Sequence, residues 1–212
     1  MLEPLATADW PCPVIEDAAQ SAGGRLDARP AGAFGTAAVV SFHATKPWGG
    51  ASGGLVASGQ QAILEQVRRM AHADTADGHL SYAGNHRLSD VHAALARARL
   101  ARAGRERDAR KAWAARYDAW LEGTAAAPVS REPDAAHFRY IVRVDDADQV
   151  IRALRAHGVD ACRPVETPLS RFAGAACPGA EDAWRRCVSL PLLADMSEEE
   201  GERMRNALEG CL

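Results

Sequence analysis

An α/β fold in two parts is predicted for this chain, and three observations carry that expectation. In the first half, short apolar runs that end abruptly in polar residues alternate with segments of helical spacing. A stretch of linker composition follows, GTAAAPVSREPD at 123–134. Beyond it, strand-like alternation and amphipathic spacing resume on a smaller scale. The expected architecture is a large unit over 1–125, with a mostly parallel sheet and a long helix leading out of it, and a small α+β unit over 126–212.

Each element has its own signal. Val14 and Ile15 predict a short buried strand, with Glu16 and Asp17 arriving where it should end. A second strand is expected at AAVVSF (37–42), which closes on the polar residues HATK. Glycines at 49, 50, 53 and 54 mark tight backbone, and GLVAS (54–58) reads as a third strand. QQAILEQVRRMAH has helical spacing with Ile63, Val67 and Met70 on one face, and HADTADGHLSYAGN reads as a loop. From Leu88 to about Leu121 a long helix or a helix pair is expected. Leu88, Val91, Leu95, Leu100, Trp113, Tyr117 and Trp120 form its apolar side, and Gly104 marks the break. The three aromatics of that side read as core or interface.

In the second part, HFRYIVRV alternates as a half-buried strand with Phe138, Tyr140 and Val142 on one side. DADQVIRALRAHG predicts an amphipathic helix ended by Gly158, and VDACRPV another strand. After a loop bearing Pro and Gly, a short strand is expected near Val188–Leu190. Ser197 and Glu200 have capping-box spacing and open the last helix.

Composition narrows the function. A net charge of −3, with arginines scattered among acids, gives no nucleic-acid surface. No apolar run approaches the ~20 residues that span a bilayer, and the N-terminus has no apolar signal core. Five widely spaced cysteines without a C-x-x-C argue against a disulfide framework or a metal site and point to a reducing cytoplasm. Of 25 basic residues only Lys46 and Lys111 are lysines.

Lys46 is where the chemistry gathers. In parallel α/β sheets ligands bind beyond the carboxyl ends of the strands. One predicted strand ends in Asp17 followed by Gln20; the next brings Ser41, His43 and Lys46. A carboxylate, an amide, a hydroxyl and a lone lysine at one sheet edge suit pyridoxal 5′-phosphate. Its aldehyde needs an amine, for which Lys46 is the candidate outside the long helix. Its ring nitrogen stays protonated beside a buried carboxylate, the role for Asp17. Its phenolic oxygen suits Gln20, and its phosphate suits Ser41 and backbone N–H groups. His43 is either a packing histidine beside the site or a participant.

VIEDAAQS, FG, SFHATK with the following GG, and GNHRLSDVHAAL resemble, in order and spacing, the DegT/DnrJ/EryC1/StrS family of nucleotide-sugar aminotransferases. The likeness continues more loosely through RYIVRV, AHGVDACRPVETPLS and VSLPLL. It implies a fold-type-I pyridoxal-phosphate enzyme passing an amino group from glutamate to a nucleotide-linked keto-sugar. Lys46 would hold the cofactor and carry the proton; Asp17, Gln20 and Ser41 would bind its ring and phosphate. Asn85 would reach the phosphate of a neighbouring subunit across a homodimer. Some sugar dehydratases of the family carry histidine at the lysine position, so by this resemblance Lys46 favours transamination over dehydration.

The family also carries a long segment before VIEDAAQS, supplying a phosphate-binding turn, a stacking aromatic and much of the large sheet; here 13 residues precede Val14. A truncated large domain is therefore expected. Two other readings follow: a half-enzyme completed by a separate N-terminal polypeptide, whose strands would pair with an open sheet edge, and an inactive remnant serving as an interaction module.

Overall fold

The computed structural model describes residues 9–72, 84–130, 132 and 134–212. The chain divides into two compact units, Met1–Arg107 with Asp134–Phe138, and Asp108–Pro133 with Arg139–Leu212.

In the first unit β1 (Ile15–Asp17) leads through a turn to a two-stranded hairpin of β2 (Arg25–Leu26) and β3 (Arg29–Pro30). The hairpin turn places Asp27 and Ala28 at φ of 47° and 65°, the left-handed backbone of a tight two-residue reversal. β4 (Ala37–Ser41) then lies parallel to β1, with Asp17 opposite Val39, and β5 (Gly54–Ser58) runs antiparallel on the other side of β4. This sheet is thus mixed, with β4 at its centre.

The first strand differs from its sequence expectation. It covers Ile15–Asp17, and the inward residue is Glu16, 3% exposed, while Ile15 is 72% exposed. Alternation along a strand allows one of the three to face inward. A carboxylate can occupy that place because both its oxygens are satisfied. Glu16 Oε1 accepts from Gly32 N at 2.6 Å and Oε2 from Phe34 N at 3.1 Å.

Helix α1 (Gln61–Ala71) follows β5. Helices α2 (Asp90–Leu100) and α3 (Ala103–Trp120) form the helix pair, α2 capped by Ser89, whose hydroxyl accepts from His92 N at 3.3 Å. The break falls at Ala101–Arg102, and Gly104 lies within the first turn of α3, where no intrahelical donor bond is required. Val91, Leu95 and Leu100 are exposed, contrary to their expected packing role; Ala96 is the buried residue of α2. A Cβ on Gly50 would lie 2.8 Å from Ala96 N, so the α2 backbone rests directly on the loop at Gly50. Ala18, Ala22, Val40, Phe42 and Ala96 form the buried core of this unit, with Trp48 and Leu88 packed against it.

The second unit contains a wholly antiparallel sheet, β6 (Ala127–Pro128), β7 (Tyr140–Arg143) and, later, β8 (Cys187–Leu190), in the order β6-β7-β8. The linker-like stretch therefore contributes an edge strand, with Val129 N donating to Ile141 O at 2.9 Å. Helix α4 (Ala147–Ala156) begins at Asp146, whose carboxylate accepts from Asp148 N and Gln149 N, and ends before Gly158. VDACRPV forms a single bridge, Cys162 to Ser189, because Pro164 has no N–H with which to extend a ladder. The following loop holds two short helices, α5 (Ser170–Ala173) and α6 (Pro178–Arg186). Their hold is polar and aromatic: the Arg163 and Arg171 guanidinium carbons lie 3.6 and 4.1 Å from the Trp184 ring centroid, and Arg171 pairs with Glu181 at 2.7 Å. That guanidinium holds the Glu181 carboxyl below its ordinary range.

Helix α7 (Glu198–Cys211) opens with the expected capping box, Ser197 Oγ accepting from Glu200 N and the Glu200 carboxylate from Ser197 N. Tyr140 and Val142 of β7, Val188 and Leu190 of β8, Leu154 of α4, and Met204 and Leu208 of α7 fill the core. Full burial of a side chain such as Leu154 or Val188 contributes about 1.5–3 kcal/mol. Trp113 and Tyr117 lie in this core with Trp120 against it; Tyr117 Oη donates to Pro191 O at 2.6 Å, and burial pushes its phenol up. Phe138 does not share the face of Tyr140 and Val142; it belongs to the first unit. Among the described residues no helix is long and apolar enough to cross a membrane.

Candidate functional site

The parallel pairing of β1 with β4 brings two strand ends side by side. Asp17 is the last residue of β1 and Ser41 the last of β4, and the ladder continues past Asp17 as Ala18 N donates to Val39 O at 2.9 Å. Asp17 Oδ1 accepts from Ala19 N at 3.0 Å, which turns the chain sharply away from the sheet. Gln20 lies in that turn, exposed. The Asp17 carboxylate is itself exposed in this chain, where the sequence had suggested a buried one. The buried acid is its neighbour Glu16, which fastens β1 to the loop at Gly32–Phe34 and so fixes the strand end that presents Asp17.

After β4 the backbone makes a compact reversal. Ser41 Oγ accepts from His43 N at 3.2 Å, Lys46 N donates to His43 O at 2.9 Å, Gly49 N to Lys46 O at 2.8 Å and Gly50 N to Phe42 O at 3.0 Å. Gly49 is the closure point: any Cβ there would overlap the His43 carbonyl oxygen. His43 is exposed and its Nδ1 is engaged with Thr45 Oγ1 at 3.0 Å, a local turn contact. Lys46 is half-buried, with its Nζ 4.8 Å from the centroid of the Phe138 ring.

Asp17 and Ser41 thus close two adjacent parallel strands, with Gln20 in the turn after the first and Lys46 in the reversal after the second, and among the described residues no hydrogen bond or ion pair joins any of the four to another. Asn85 stands apart from them. It is exposed, in the stretch before α2 that backbone bonds from Gly84 N to Met70 O and from His86 N to Ala71 O tie to the end of α1.

Two residues that matter to this geometry are not marked by local sequence. Glu16 looks like one half of an acidic pair, and only the alternation of β1 separates its inward role from the outward role of Asp17. Phe138 follows the period of a strand yet meets Lys46 from far along the chain.

The DegT/DnrJ/EryC1/StrS aminotransferase family model matches residues 3–209. A dTDP-3-amino-3,4,6-trideoxy-alpha-D-glucose transaminase of Streptomyces venezuelae is 31% identical, over 92% of this chain and 55% of its own length. Among solved structures, a DegT DnrJ EryC1 StrS aminotransferase from Brucella abortus superposes with a TM-score of 0.83 at 25% identity, covering 93% of this chain and 57% of that one. S. venezuelae DesV gives 0.84 at 28% identity, covering 92% and 57%. The chain therefore spans a little over half the length of the relatives it matches, and its fold is that of part of a fold-type-I enzyme with mixed α/β content. With a family match running almost end to end, this chain belongs to the DegT/DnrJ/EryC1/StrS aminotransferases.

Proposed function

We propose that this chain bears the pyridoxal 5′-phosphate-binding lysine and strand ends of an aminotransferase that moves an amino group from glutamate to a keto group on a nucleotide-linked sugar. The observation that carries this reading is the placement of Asp17 and Ser41 at the ends of two adjacent parallel strands, with Lys46 in the reversal that follows the second. The donor set fits the cofactor, offering a carboxylate, an amide, a hydroxyl and an amine that do not bond to one another.

When bound, pyridoxal phosphate supplies an electrophilic carbon that takes up an amino group and a ring that accepts electrons from the neighbouring carbon. The Asp17 carboxylate would accept a hydrogen bond from the protonated ring nitrogen and so favour the cationic ring. Gln20 would donate its amide N–H to the ring oxygen. The Ser41 hydroxyl and backbone N–H groups of the reversal would bind phosphate oxygens. Lys46 Nζ would anchor the cofactor and would serve as the proton carrier of the amino-group transfer. Asn85 serves a second subunit in a homodimer, reaching the phosphate there, and the site works in a reducing cytoplasm.

The test is spectral. Adding pyridoxal phosphate is expected to give a visible absorbance band that Lys46→Ala lacks, and glutamate is expected to bleach it with release of 2-oxoglutarate. An identical spectrum in Lys46→Ala would overturn the assignment of Lys46.

A further inference from the structure

We propose that Phe138 is a positioning residue for Lys46, its ring holding the free ammonium in one place beside the strand ends. The Lys46 Nζ lies 4.8 Å from the ring centroid, inside the ~6 Å over which a cation is attracted to an aromatic face. Among the described residues no carboxylate is within ion-pairing distance of Lys46, so the ring is the group that orders an otherwise flexible four-carbon amine.

The segment that delivers the ring is pinned to the first unit, although it follows the linker-like stretch in sequence. Asp134 O accepts from Arg25 N at 2.8 Å. A Cβ on Gly24 would stand 3.0 Å from Ala136 N, and Ala136 is buried, so the two backbones lie against each other. Immediately before the ring, His137 holds a φ of 48°. Left-handed backbone at a non-glycine residue is unfavourable and persists where the surroundings impose it. Its effect here is to break the strand period: regular alternation would have put Phe138 on the face of Tyr140, and the kink leaves it with Lys46 instead.

A role in catalysis for this hold rests on the function proposed for Lys46, since a pre-ordered amine meets its reaction partner with less entropy to lose. The contact itself is testable without cofactor. Lys46 and Lys111 are the only lysines, so brief acetylation with acetic anhydride, followed by peptide mass analysis, gives the reactivity of Lys46 relative to an internal reference. An amine packed against a ring is less open to the reagent and is acylated slowly. Phe138→Leu is expected to raise the Lys46/Lys111 ratio roughly two- to fivefold, and Phe138→Trp, with the stronger cation-binding ring, to lower it. A ratio unmoved by Leu, or one that Trp raises, overturns the proposal. Because no cofactor is added, failure of pyridoxal phosphate to bind would leave this result standing, and the converse also holds.

Discussion

Adjacent acids in IED divide two tasks between them. Asp17 faces outward at the strand end and accepts from Ala19 N, while Glu16 is buried and receives two backbone donors from the loop after β3. Removing the Glu16 carboxylate leaves Gly32 N and Phe34 N without an acceptor, and a buried unsatisfied donor costs about 1–3 kcal/mol. Glu16→Ala is therefore expected to lower stability in urea denaturation by about that amount, and Glu16→Gln, which keeps one acceptor oxygen, by less. Equal stability of all three proteins would show that the loop does not depend on this carboxylate. The placement of Asp17, Gln20, Ser41 and Lys46 at and after strand ends was legible in the sequence because these polar residues follow where apolar runs stop. The inward turn of Glu16 was not, since strand register decides it and two neighbouring acids look alike.

At the scale of elements, the loops carry the site and the glycines make the loops possible. The reversal from Ser41 to Gly50 closes on Gly49, and Gly50 lets α2 rest against it. Elements with strong local signals were readable: β4 from its apolar run, α4 from its stripe and Gly158, α7 from its capping box. Those held by distant partners were not. Helix α6 has little apolar character and depends on Arg163 and Arg171 against Trp184, and the strand expected at VDACRPV stops at one bridge. The β2–β3 hairpin retains a local conflict, with Ala28 at a φ of 65° in a turn that favours glycine. Ala28→Gly removes a steric penalty of roughly 1–2 kcal/mol and gives back part of it as added freedom in the unfolded chain. A net gain of a few tenths to about 1 kcal/mol is expected in thermal or urea unfolding; a loss of stability would mean that the turn is not held as described.

For the whole molecule, two units with separate cores share one chain, and the division does not follow sequence order. The segment Asp134–Phe138 returns to the first unit before β7 begins the second. Composition could place a linker near 123–134, but the return of a short segment depends on the contacts of Asp134 and Ala136 with the turn at Gly24–Arg25, which no local pattern announces. The consequence is that Phe138 meets Lys46, and the candidate cofactor lysine is ordered by a residue from the far side of the linker. The proposed function makes Lys46 the centre of this chain's chemistry. Borohydride reduction in the presence of pyridoxal phosphate, followed by peptide mapping, tests that most directly. A stable pyridoxyl group is expected on the peptide containing Lys46, with little on Lys111 and a weaker yield in Asp17→Ala. Equal labelling of both lysines, or labelling indifferent to Asp17, would contradict it.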